Sequence, residues 1–373
     1  MYLRMLQIPG LFQALEYFPL ALFAGMAAGL AFAARYHQAR PRERYDPETR
    51  TFLIEPLYMP LLLLIVIPLS LALASGIWEN AYLWRQLARI ILAAGLYFTG
   101  LAALAPLLRR IISARARAAL WVLPNLLYVL IYIDIFRSGT VILQIPRAWL
   151  MPVLVVWAAG AIALLGWHIL SHLRFRKSLL ASAVPELDDP MQKLWYQACT
   201  VHKVRTDIPL TRSPAVETPL SVGCFQRTMV LVLPEKAYTA EELELIYRHE
   251  LRHIKRADMR TKIWMALWKS MLWFFPPVWW AAKITAEDLE LCCDEEVLTG
   301  AESETRRRYA ELLLDSAAPA AGFSTCLSAD AAALGRRLKQ AISPKKVWRG
   351  DWIVGISAGL LMLATANIGI IVT

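Results

Sequence analysis

The sequence predicts a membrane-embedded α-helical bundle of about six spans, with a cytosolic α+β domain inserted ahead of the last span. Three observations carry that expectation. Of 373 residues, 57% are hydrophobic and only 19% charged, with a mean hydropathy of +0.43; soluble domains carry about 25% charged and about 45–50% apolar residues. The apolar residues gather in runs close to the roughly 20 needed to cross a bilayer. Lys and Arg cluster on alternate flanks of those runs, which is how orientation is set in membranes.

The spans are expected at 17–34, 56–78, 90–108, 118–133, 148–173 and 352–373, and the first two hold no charge. The fourth is short, but its apolar pattern continues past Asp134 through Ile135 and Phe136. The first does not read as a signal peptide, because Arg4 alone precedes it and further spans follow. Basic residues follow the first span (Arg35 to Arg50), the third (Arg109 to Arg117) and the fifth (Arg174 to Lys177), and precede the last (Lys345 to Arg349). These flanks hold 15 Lys and Arg, against five on the opposite flanks. The bias places both termini outside and residues 174–351 in the cytosol. The domains are then a five-span unit over 1–173, a cytosolic domain over 174–351 and a C-terminal span over 352–373. The net charge of +10 is topological on this reading, and no direct nucleic-acid contact is expected. Five cysteines without CxxC spacing exclude a disulfide framework and a Cys-ligated zinc site.

Within the cytosolic domain, residues 190–203 read as a helix and 207–234 as a small antiparallel sheet, since Pro, Ser, Thr and Gly punctuate short β-branched runs. Thr239-Ala-Glu-Glu242 is a capping box, so a helix is expected from about 240 to 258. Two more helices are expected at 303–316 and 329–341.

The capped helix carries His249-Glu250-Leu251-Arg252-His253. Residues four apart share a helix face, so both imidazoles can meet one ion. Glu250 stands where it can act as general base on an activated water. A catalytic zinc takes three protein ligands and keeps one position open. The pattern arises by chance in roughly one shuffled chain in two hundred, and the bland alternative is a charged, solvated helix face. Some 37 residues on, Glu290 and Asp294 stand one helical turn apart. Glu290 is the candidate third ligand, and Asp294 a candidate acceptor for the free N–H of a ligating His. Glu287, Asp288, Glu295 and Glu296 are rival carboxylates that spacing does not exclude.

These stretches resemble the BlaR/MecR-type antirepressor membrane metallopeptidases. The similarity is carried by RHELRHIKRAD (248–258), a Trp/Phe/Pro-rich stretch, ELCCDEEVL (290–298), TPLSVGCFQRTMVLVLP (218–234) and Tyr309-Ala310-Glu311-Leu312-Leu313. It covers about residues 190–340. It implies a gluzincin zinc-metallopeptidase fold for the inserted domain. His249, His253 and Glu290 would bind Zn2+, Glu250 would be the base and Asp294 would lie behind the ligands. Asp258 fits the residue that closes the family's helix, with a structural role. The resemblance further implies a bacterial-type cytoplasmic membrane location and a cytosolic protein or peptide substrate, of which a transcriptional repressor is one candidate. The bilayer is a partner, and a homodimeric mate or sensor protein is a further one. There are two departures. The family's W-F-N-P reads Trp273-Phe274-Phe275-Pro276, and no penicillin-binding sensor domain is expected after the last span. A signal is therefore expected to arrive through spans, loops or a partner.

Residues 263–282 hold five of the 14 Trp and could pass for another span. Lys269, at about 2.5–3.5 kcal/mol in a bilayer centre, and Pro276-Pro277, which break a helix, argue for a bent interfacial hairpin instead. The competing expectation is a buried aromatic core. Met229 to Leu233 reads either as an edge strand for extended substrate or as a central strand. His168 and His172 have metal-ligand spacing but no carboxylate nearby, so packing is the better reading. Cys292-Cys293 read as buried thiols. Tyr309 and Arg306 are candidates for stabilising an oxyanion.

The functional expectation is thus an integral-membrane zinc endopeptidase in transmembrane signalling. One alternative is a non-hydrolytic zinc-containing scaffold, which the intact Glu250 disfavours. The other is a housekeeping prenyl-protein-type peptidase, which should carry more spans.

Overall fold

The Thr239 capping box starts the helix from which the site is built. In the computed structural model, Thr239 Oγ1 accepts from the Glu242 backbone N–H and Glu242 Oε2 accepts from the Thr239 N–H at 2.7 Å. The structure describes residues 81–131, 141–224, 226–316, 331–344 and 347–372. The expected spans at 17–34 and 56–78, along with Asp134, Lys345, Lys346 and Cys326, lie outside the described residues.

The chain order is α1 (Ala81–Ile111), α2 (Ala114–Val122), a 3-10 segment (Leu123–Ile131), β1 (Val141–Ile145), α3 (Arg147–Ala181), β2 (Val184–Pro185), α4 (Asp189–Val201), β3 (Leu210–Arg212), β4 (Leu220–Val222), β5 (Val230–Leu233), α5 (Ala240–Arg256), α6 (Asp258–Met271), α7 (Pro276–Val297), α8 (Ser303–Asp315), α9 (Ala331–Ile342), α10 (Asp351–Asn367) and β6 (Ile368–Val372). Among the described residues, two helices are long and apolar enough to cross a membrane, at Ala88–Ile111 within α1 and Pro152–Ala181 within α3. They match the third and fifth expected spans. The fourth and sixth differ from a single long helix. Residues 118–131 are the end of α2 and a 3-10 segment, and Pro124 breaks the α ladder because it lacks an N–H. Residues 352–372 are a short apolar helix followed by β6, which pairs in parallel with β1. The β-branched run Ile368–Val372 favours an extended ladder over a last helical turn.

Among the described residues the buried apolar side chains form five clusters, of which three frame the site. One joins α1, α2, α6, α7 and α10, around Phe98, Trp121, Trp264 and Trp268. A second packs α4 and α5 against the sheet, around Trp195, Tyr247 and Leu231. A third packs α8 and α9 against α5 and α7, around Leu245, Val297 and Tyr309. The sheet order is β2-β3-β5-β4. It is mixed, not purely antiparallel as expected, since β3 and β5 run parallel. β5 is paired on both sides and β4 is one of the two edges among the described residues, so the run Met229 to Leu233 is a central strand.

Residues 263–282 form a bent helical hairpin, turning at 272–275 between α6 and α7. Its aromatic residues divide. Trp264 and Trp268 are fully buried against Phe98, while Phe274, Trp279 and Trp280 are 40–55% exposed. The interfacial expectation is therefore corrected for the first pair, whose indoles find protein partners in α1. At the turn, Trp157 Nε1 donates to Met271 O at 2.8 Å, and Trp273 lies over Gly160 of α3, where a Cβ would come within 2.4 Å of the indole.

Candidate metal centre

α5 places His249 and His253 one turn apart, and their Nε2 atoms converge to 3.0 Å. α7 crosses α5 and brings Glu290 Oε2 to 3.5 Å from each of those nitrogens. Zinc bonds of about 2.0–2.1 Å at tetrahedral angles put donor atoms about 3.3–3.4 Å apart. The three donors thus form a triangle of the size one zinc requires. His249, His253 and Cys293 also offer donor atoms within 4.8 Å of one another. That set is the poorer one, because Cys293 Sγ lies 3.3 Å from His253 Nδ1, on the ring edge away from Glu290.

The other edge of each imidazole is fixed by a hydrogen bond, directly to a carboxylate for His253 and through a tyrosine for His249. His253 Nδ1–H donates to Asp258 Oδ2 at 2.6 Å. Ala257 makes this contact: its left-handed backbone (φ 60°) ends α5 and starts α6, turning Asp258 back beneath His253. A non-glycine residue there costs roughly 1–2 kcal/mol. Arg256 clamps the same carboxylate, with Nε donating to Asp258 Oδ1 at 2.6 Å. Burial alone would raise the Asp258 pKa, but Arg256 and His253 outweigh it and bring it down to about 2. On the His249 side, Nδ1–H donates to Tyr309 Oη at 2.8 Å, and Tyr309 donates to Asp294 Oδ1 at 2.6 Å. Asp294 is fully buried and held by Arg337 through Nε and Nη2, both at 2.7 Å. Burial, reinforced by Asp294, pushes the Tyr309 hydroxyl well above its ordinary pKa. Burial opposes the charge on Glu290, yet His253, His249 and Lys262 hold it well below the usual carboxylate range.

Each expected site residue can now be placed. His249, Glu250, His253 and Glu290 come together. Asp294 stays behind the site but does not bond the imidazole directly; at 3.6 Å from His249 Nδ1 it acts through Tyr309, whose hydroxyl fits between them. Asp258 is the direct acceptor, a role beyond the helix closure expected of it. Tyr309 sits at Nδ1, away from the ligating edge, and Arg306 binds the carbonyls of Leu298, Ala301 and Ala341. Neither is therefore placed to meet an oxyanion. The rival carboxylates are bound elsewhere. Glu287 and Asp288 accept from Arg109, Asp288 also from Arg117 and Trp121, Glu295 from the Ala114 N–H and Glu296 from Arg115. Arg337 and Lys262, the latter 3.6 Å from Glu290, had no motif to announce them.

Glu250 is buried beside His249 at the floor of an open cleft. One arm is lined by edge strand β4, by Met229 and by His172 and Phe175 of α3. The other runs past Ile246, Tyr238, Leu312 and Leu313 to Lys236 and Asp315, which pair across it at 3.2 Å. A buried carboxylate beside two convergent imidazole nitrogens, open to solvent on one side, can deprotonate a water delivered there.

Residues 138–342, more than half of the chain, match the family described as BlaR1 peptidase M56. The chain is 26% identical over 159 residues to the regulatory protein BlaR1 of Bacillus licheniformis, a match covering 43% of this chain and 26% of that protein. It is 24% identical over 164 residues to the methicillin resistance mecR1 protein of Staphylococcus aureus, covering 43% of this chain and 28% of that one. The chain thus matches about a quarter of the length of these relatives.

Proposed function

The chain belongs to the BlaR1 peptidase M56 family, and on that premise we propose that it is an integral-membrane zinc endopeptidase that cuts a cytosolic protein or peptide in transmembrane signalling. The observation that carries the proposal is the triangle of His249 Nε2, His253 Nε2 and Glu290 Oε2, at 3.0, 3.5 and 3.5 Å, beside the buried Glu250. These three residues would hold zinc. When bound, zinc lowers the pKa of a water toward neutrality and polarises a carbonyl.

The chain's own residues do the rest. Glu250 takes the proton of the attacking water and returns it to the leaving amine. Asp258 and the Tyr309–Asp294 pair keep each Nδ1 protonated, so that each Nε2 presents its lone pair to the ion. β4, an edge strand among the described residues, would present its outer backbone groups to an extended substrate segment laid along the cleft. The signalling role rests on the names of the relatives, and the cytosolic placement rests on the arginine-rich flanks.

The test uses the full chain in lipid nanodiscs. Wild type should hold one zinc and cleave an unfolded reporter protein. Glu250→Ala should abolish cleavage with zinc retained, and His253→Ala should lose both. Full activity in Glu250→Ala would refute the mechanism.

A further inference from the structure

We infer that Arg337 is a catalytic residue, whose Nη1 donates to the oxyanion that develops on the scissile carbonyl. The inference rests on the peptidase reading above and supplies the electrophile that the motifs leave unassigned. Arg337 comes from α9 and is 3% exposed. Its Nε and Nη2 are committed to Asp294. Nη1 is buried and makes no hydrogen bond among the described residues; it points toward the metal triangle, 3.5 Å from Glu290 Oε2. An unsatisfied buried donor costs about 1–3 kcal/mol, so Nη1 gains from an acceptor brought into the cleft.

The surroundings say what that partner is. Arg337 lines the cleft with His249, Glu250 and Tyr309, so a substrate carbonyl engaged beside Glu250 comes within its reach. Of the neighbouring donors, Tyr309 is engaged with Asp294 and Arg306 with three carbonyls. Arg256 also keeps a buried Nη1 without a hydrogen bond, but that nitrogen faces Glu296 at 4.0 Å and Arg256 does not line the cleft. The two-point grip of Asp294 fixes the guanidinium plane, so the third nitrogen is aimed before substrate arrives. Donors preorganised in this way lower the barrier because they do not reorganise during the reaction. A lysine, as a single mobile point charge, could not both grip Asp294 and present a fixed donor.

The experiment compares wild type, Arg337→Lys and the double variant Asp294→Asn/Arg337→Gln in nanodiscs. The double variant removes both buried charges, so Asp294 is not stranded. A phosphinic peptide serves as tetrahedral analogue, and a product peptide as ground-state probe. Arg337→Lys should lower kcat by about 10²–10³, change KM little, keep one zinc per chain and weaken the phosphinic peptide by the factor lost in kcat/KM. Product-peptide binding should hold in all variants. A kcat within threefold of wild type would overturn the inference. So would zinc lost in step with activity, which marks a positioning residue, or loss of the analogue's advantage in Lys262→Gln and not in Arg337→Lys. Activity surviving Glu250→Ala would instead overturn the peptidase mechanism, and the inference with it.

Discussion

Asp258 shows how much a single residue behind the site decides. Its carboxylate carries two tasks, accepting the His253 Nδ1–H and pairing with Arg256. It can serve both because the left-handed Ala257 returns the chain beneath the helix just completed. Asp258→Asn keeps the size but offers one acceptor and no charge. Zinc affinity should fall about 10–100-fold, read by competition with a zinc chelator dye, with peptidase activity falling in parallel as zinc becomes limiting. An unchanged affinity would mean that His253 is oriented by packing alone. Asp258 was visible in the sequence only as the residue after the helix, because its reach to His253 depends on one backbone torsion that no spacing encodes.

At the scale of elements, the helical hairpin α6–α7 couples the site to the apolar helices. α7 carries Glu290 and Asp294 on one side. On another it presents Glu287, Asp288 and Glu295 to the corner between α1 and α2, where Asp288, fully buried, meets Arg109, Arg117 and Trp121. Removing one partner from such a buried cluster typically costs about 3–5 kcal/mol, so the ligand helix is anchored against residues from the end of α1. The hairpin turn is locked to α3 by Trp273 over Gly160. Gly160→Val should displace Trp273 and destabilise the protein by about 1–3 kcal/mol, seen as a lower thermal midpoint in detergent. If the midpoint is unmoved, the contact between α3 and the hairpin is not a structural one. The hairpin's existence was legible from Pro276-Pro277 and Lys269, but which Trp residues it buries was not, because that depends on Phe98, which lies some 170 residues earlier in the chain.

For the whole molecule, the distribution of Arg and Lys makes a prediction independent of the chemistry. With residues 174–351 in the cytosol, a phosphatase reporter fused after Thr373 should be active outside the membrane and a cytosolic reporter at the same position silent. The reverse pattern would put the cleft in the other compartment and remove a cytosolic protein as substrate. The geometry of the cleft adds a constraint of its own. One arm is bordered by His172 and Phe175 of α3, so a segment bound there would lie next to an apolar helix.

The sequence by itself determined the membrane character, two of the apolar helices, the capped helix and the residues His249, Glu250, His253 and Glu290. These are local or periodic signals: apolar length, a capping box, and donors one helical turn apart. Only the tertiary structure decided that β4 and not β5 is a sheet edge, that Tyr309 intervenes between His249 and Asp294, that four acidic residues of α7 belong to the α1–α2 corner, and that Arg337 reaches the site. Each of these depends on where side chains distant in sequence meet. Burial makes those meetings specific, since a buried carboxylate must find a partner and accepts whichever cation the fold delivers.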